Sequence, residues 1–168
     1  MKVLFLTNWY PSRDTPARAV WVREHAKAVR RLDEVVVLHT AGSDRRLTTL
    51  WKVEEESEAS AAEGVPTYRV WYREPAARWA SYVIYLWSTL AAFRHISRLG
   101  FSPDVIHVHV YDAGGPGLLL GKLHRVPVVV SEHFSSFLRR SLGRLDLYKA
   151  RAAFRWADRV LPVSYTLK

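Results

Sequence analysis

Five short runs dominated by apolar residues constrain this chain most: "KVLFLT" (2–7), "EVVVLHT" (34–40), "VPTYRVWY" (65–72), "DVIHVHV" (104–110) and "VPVVVSE" (126–132). A strand that is apolar on both sides must be covered on both faces, which points to a parallel sheet between helical layers. A sixth run, "RVLPVS" (159–164), closes the series. Helical stretches separate the runs. Over 18–32, Val22, Ala26 and Val29 fall at i, i+4 and i+7, with Arg23, Lys27, Arg30 and Arg31 on the other side. Further helices are expected over 76–98, 115–124 and 144–157. Residues 41–63 show no regular pattern, and their acidic part, "EEESEASAAEG", reads as exposed. Strands alternating with helices predict an α/β fold, a doubly wound parallel sheet of six or seven strands, Rossmann-like, in one domain.

The chain of 168 residues is long enough for one real core. It has no cysteine, which excludes disulfides and thiolate metal sites and fits the cytoplasm. The apolar run after Lys2 is too short for a secretory leader. The charge-free stretch Trp79–Phe93 is fifteen residues, whereas a spanning helix needs about twenty. The formal charge of +9 asks for an anionic partner. Arg139, Arg140 and Arg144 follow "FSSFL", and Arg144, Arg151 and Arg155 share a helix stripe with Tyr148. Basic residues beside aromatics suit lipid headgroups or a phosphorylated substrate. No nucleic-acid module pattern is present.

In an open parallel sheet, ligands bind outside the carboxyl ends of the strands. Asn8, Trp9 and Tyr10 follow the first strand. The fourth long run ends in His109, with Tyr111 and Asp112 after it; the fifth ends in Ser131 and Glu132, with His133 and Ser135 after it; and the last ends in Ser164. His107 and His109 are two apart and share a face. His107 lies deeper and is expected to be a hydrogen-bonded core residue, whereas His109 and His133 are expected to line the cleft. The histidine pair suggests a metal, but no third ligand has suitable spacing, so no metal is expected. "GGPG" matches no phosphate-binding fingerprint, and its glycines are expected to let a helix pack close to the sheet.

Four segments together resemble the retaining GT-B glycosyltransferases of family 4 (group 1): "MKVLFLTNWYPSRDTPARAVWVREHAKAV", "PDVIHVHVYDAGGPG", "VPVVVSEHFSSF" and "ADRVLPVSYTLK". The resemblance implies two Rossmann-like domains with the active site between them. This chain (1–168) would be the amino-terminal, acceptor-binding domain, and the carboxyl-terminal nucleotide-sugar domain is absent from it. The reaction implied is transfer of a sugar from a nucleotide sugar to an acceptor, with retention and without a cofactor or metal. By this resemblance His133 is the catalytic residue, contacting the sugar near the reaction centre. Asn8, Trp9, Tyr10, Arg18, His109, Tyr111, Glu132, Ser135, Arg139 and Ser164 are substrate-binding candidates. Many members carry a glycine in the first loop, where Arg18 and Ala19 stand here, so that Arg18 would serve as a cation instead. The partners expected are a nucleotide sugar and a glycan or lipid-linked acceptor, with peripheral contact to an anionic inner membrane face and no nucleic acid. The chain alone is expected to be inactive. The alternatives are a nucleotide-sugar epimerase of related two-domain fold and a stand-alone ligand-binding domain.

Overall fold

A computed structural model describes residues 1–12, 15–56, 64–75, 77–133 and 142–164. In chain order its strands are β1 (Lys2–Thr7), β2 (Glu34–Ser43), β3 (Trp51–Glu55), β4 (Thr67–Tyr72), β5 (Val105–His109), β6 (Val128–Glu132) and β7 (Arg159–Pro162). Its helices are α1 (Val20–Arg30), α2 (Arg78–Arg98), α3 (Gly114–His124) and α4 (Arg144–Trp156), with one 3₁₀ turn at Tyr111–Ala113. The strands form one sheet in the order β3-β4-β2-β1-β5-β6-β7. Every pairing is parallel except β3 with β4. The sheet is thus the expected parallel one, with a single antiparallel strand, β3, at its edge. "WKVEE" lay in the stretch read as irregular because its residues are exposed or half-buried, which leaves no continuous apolar run to see.

Two cores sandwich the sheet. Alternate residues of each central strand point to opposite faces. Val3, Phe5, Val35 and Val37 pack with Val22 and Ala26 of α1 on one face. Leu4, Leu6, Val36, Leu38, Ile106, Val108 and Val130 pack with Ala92, Phe93 and Ile96 of α2 and Leu120 of α3 on the other. Leu4, Phe5 and Leu6 have no exposed surface at all, and each such burial contributes about 1.5–3 kcal/mol. The glycines of α3 act in packing. A Cβ at Gly117 would collide with Val108, and one at Gly121 with Val128, so α3 rides on the sheet at backbone distance.

Among the described residues, no helix is long and apolar enough to cross a membrane. Helix α1 begins two residues later than its pattern suggested, because Ala19 turns the chain at φ 49° and ψ 42°. This left-handed conformation costs an L-residue with a Cβ about 1–2 kcal/mol. A glycine would bear it freely.

Candidate functional site

The strand registers bring the carboxyl ends together. Thr7 pairs with His39 on one side and with His109 on the other. His109 pairs with Ser131, and Glu132 with Pro162. The segments that leave β1, β5, β6 and β7 therefore emerge along a single edge. Strand β5 stops short of Val110, which takes φ 66° and ψ 137°. Positive φ is a real outlier for a β-branched residue, and such strain persists only where the surroundings over-determine it. Here the Val110 N–H donates to the Ser131 carbonyl at 2.9 Å. The next N–H, that of Tyr111, donates to the buried Glu132 carboxylate at 3.1 Å.

The loop after β1 is held from several sides. Thr7 Oγ1 accepts the Trp9 N–H at 2.9 Å and donates to the Trp9 carbonyl at 3.0 Å. Tyr85 of α2 sends its hydroxyl toward Asn8 Oδ1 at 3.1 Å and the Asp112 carbonyl at 3.3 Å, so two strand-end loops share one donor. Burial pushes the Tyr85 phenol upward, and it stays a neutral donor. Burial also raises the Asp112 carboxyl, against the opposing pull of Lys149 and a Trp9 hydrogen bond. The Arg18 guanidinium lies 5.0 Å above the Trp9 ring.

A second support comes from residues the sequence reading passed over. Arg69 of β4 is buried, and one arm of its fork reaches the Pro11 carbonyl at 2.6 Å and both Glu56 carboxylate oxygens at 3.0 Å. The other arm meets His39 Nδ1 at 2.6 Å, which makes that nitrogen the acceptor. Burial and the adjacent Arg69 charge push His39 down to about 3. Tyr10 packs 5.7 Å from the guanidinium. The signal was there to read: a charged residue inside "TYRVWY" and a histidine inside "EVVVLHT" need partners when buried.

The histidines form a column on the α1 face. His107 Nε2 lies 2.8 Å from Ser131 Oγ, the hydrogen-bonded core arrangement expected of it. The His107 and His109 rings stack at 4.3 Å, and His109 and His133 at 5.6 Å. His25 of α1 meets both strand histidines edge-on, at 5.2 Å and 5.3 Å. One ring nitrogen from each of His25, His107 and His109 lies within 4.8 Å of the others. A third histidine thus does accompany the pair in space, contrary to the expectation from spacing. It comes from 82 positions earlier than His107, on the inward stripe of α1 between Val22 and Ala26. Burial lowers all four histidines, His107 to about 4, so the column is neutral at pH 7.

The expected site residues divide by exposure. Asn8 and Trp9 are half-buried at the edge, Arg18 and Ser164 are exposed, and His133 is half-buried beside Trp21, ring centroids 5.9 Å apart. Tyr10, His109, Tyr111 and Glu132 are buried. Tyr10 packs beside Arg69, His109 stacks with His133, Tyr111 lies against Ala150 and Ala153 of α4, and Glu132 accepts the Tyr111 N–H. Ser164 leaves β7, two strands from β5. Ser135, Arg139 and Arg140 lie outside the described residues.

The family described as "Glycosyl transferase 4-like domain" matches residues 17–167. TuaC of Bacillus subtilis (strain 168), whose name assigns it to teichuronic acid biosynthesis as a glycosyltransferase, is 26% identical over 180 residues. That match takes in 100% of this chain and 45% of TuaC, so the chain spans less than half of that relative's length. Among solved structures, Anabaena HepE in complex with UDP and glucose superposes with a TM-score of 0.60 at 16% identity, over 95% of this chain and 37% of HepE. Acinetobacter baumannii MurG gives a TM-score of 0.60 at 17% identity, over 99% of this chain and 42% of MurG. The fold is accordingly that of GT-B glycosyltransferase domains.

Proposed function

Because the chain belongs to the glycosyl transferase 4-like domain family, we propose that it forms the acceptor-side domain of an enzyme that transfers a sugar from a nucleotide sugar to an acceptor hydroxyl with retention. The observation that carries this reading is the strand-end edge, where half-buried Asn8, Trp9 and His133 and exposed Arg18 flank a strained turn at Val110. HepE's complex with UDP and glucose supports a nucleotide sugar as donor. TuaC's naming for teichuronic acid biosynthesis supports a glycan acceptor.

In the reaction, the acceptor oxygen forms a bond to the anomeric carbon as the bond to the diphosphate oxygen breaks. The acceptor proton passes to the departing diphosphate. This domain's part is to position the acceptor and to hold the sugar. Burial keeps His133 neutral, so it can meet a sugar hydroxyl without adding charge. Its ring is fixed between His109 and Trp21, so little reorganisation is needed as the transition state forms. Exposed Arg18 would face the anionic leaving group. A second substrate must be held by protein outside this chain, so the 168 residues alone should not turn over.

The test is a product assay on the full-length protein with a panel of nucleotide sugars. Transfer with retained anomeric configuration is expected, and His133→Ala should lower kcat by about 10²-fold or more. An inverted product, or an unchanged kcat in the variant, would overturn the reading. Epimerised nucleotide sugar without acceptor would favour the epimerase instead.

A further inference from the structure

His109 is fully buried, yet neither of its ring nitrogens has a hydrogen-bond partner, and His133 Nε2 beside it is likewise buried and unpartnered. Buried polar atoms in folded proteins are nearly always satisfied, and a group that is not calls for an explanation. His109 and His107 project from β5, and His25 comes down from α1 across them. Phe5 closes the floor, its ring 4.8 Å from His109, 5.0 Å from His107 and 5.4 Å from His25.

We propose that His25, His107 and His109 together bind one borderline divalent transition-metal ion, zinc or a close chemical relative, which pins α1 to the end of β5. One nitrogen from each ring already lies within 4.8 Å of the others. Ligands about 2.0–2.1 Å from a tetrahedral zinc sit about 3.4 Å apart, so small ring movements complete the site. The donor set is all imidazole, with no carboxylate or thiolate in the group. That set suits zinc, cobalt, nickel or copper and is poor for magnesium or calcium. Ser131 Oγ, 2.8 Å from His107 Nε2, fixes the orientation of that ring. The buried, unpartnered Nε2 of His133 belongs to the ring stacked next to His109. The site lies beneath the surface offered to substrate, so the ion would set the position of α1 and the His133 segment.

The experiment uses the tag-free chain, stripped with a chelator and titrated with cobalt as a spectroscopic stand-in. Visible absorption bands of imidazole-bound cobalt are expected, to be abolished by stoichiometric zinc. Zinc should raise the melting temperature and magnesium should not. His25→Ala keeps a helix-favouring residue at a half-buried position, and circular dichroism checks its fold. It should lose the cobalt bands and bind zinc at least about tenfold more weakly. His95→Ala, at an exposed histidine on α2, should behave as the parent does. No bands with excess cobalt, equal affinity in folded His25→Ala, or equal loss in His95→Ala would each overturn the proposal. A cluster satisfied by hydrogen bonds among its own rings would give the first of these results.

Discussion

Glu132 and Tyr111, twenty-one residues apart, are joined where β6 and β5 end: the buried carboxylate accepts the Tyr111 N–H at 3.1 Å. That bond sits immediately after Val110, whose positive φ no local preference favours. A carboxylate here holds a strained turn in place and thereby aims the segment that carries Asp112 and the start of α3.

Glu132→Ala removes the acceptor of the Tyr111 N–H and should destabilise the chain by about 1–3 kcal/mol. Glu132→Gln retains an acceptor oxygen and should recover most of that loss. Urea unfolding of the two variants checks the order. Equal loss in both would mean that the carboxylate's charge, and not its acceptance of this bond, matters.

Arg69 is the equivalent support on the other side of β1. Its fork ties the loop after β1, through the Pro11 carbonyl, to His39 of β2 and to Glu56 beyond β3. Arg69→Met should cost about 2–3 kcal/mol, by stranding the Pro11 carbonyl and part of a salt bridge. Arg69→Lys should not restore it, because an ammonium cannot reproduce the fork. In the full-length enzyme both changes should raise KM for the acceptor more than they lower kcat, since the residue positions a loop and touches no reacting atom. Steady-state kinetics with the acceptor varied reads this split.

The lowered histidines set the response to acid. Each binds protons less readily in the folded chain than in the unfolded one, so the unfolded state takes up more protons as pH falls. Stability is therefore full above about pH 6.5, the unfolded value, and declines below it. For His107 the decline continues to about 4 and for His39 to about 3. Each of these two groups contributes a slope of up to about 1.4 kcal/mol per pH unit within its window. Urea midpoints at pH 7, 6 and 5 should fall steadily, and His39→Gln should flatten part of the slope. A profile level from pH 7 to 5 would contradict the lowered values.

The central strands were legible because parallel strands covered on both faces are apolar without interruption, as in "VVVL" of β2 and "VVV" of β6. The same rule hid β3, which is paired on one side and half-exposed. The strand-end principle correctly gathered Asn8, His109 and His133 at one edge. It did not say which of them face outward, because that depends on local backbone turns. The positive φ of Val110 and the left-handed Ala19 have no signature in residue type, as both are residues that avoid such angles. His25 was readable as an inward position of α1, but its partners lie on β5, and only the crossing of helix over sheet brings them together.

The surplus positive charge makes the last prediction. Along α4, Arg144, Tyr148, Arg151 and Arg155 are all exposed, as the helix stripe required, while Ala150 and Ala153 face inward against Val110 and Tyr111. Leu145 and Trp156 add exposed apolar surface at the two ends, 67% and 72% accessible. Cations around exposed aromatic and aliphatic groups suit an anionic bilayer surface, each cation near the headgroups contributing about 1 kcal/mol. We propose on this basis that the acceptor is met at a membrane face. The chain should co-sediment with vesicles containing anionic lipid, less so as salt rises. Arg144→Ser, Arg151→Ser and Arg155→Ser combined should weaken binding by about two orders of magnitude. The three positions are exposed, so the fold should be retained. Trp156→Ala should weaken binding in a way that salt does not mimic, because it removes apolar insertion and leaves the charge. Equal binding by the triple variant, or none by the parent at low salt, would leave the arginines as a solubility feature and return the acceptor to solution.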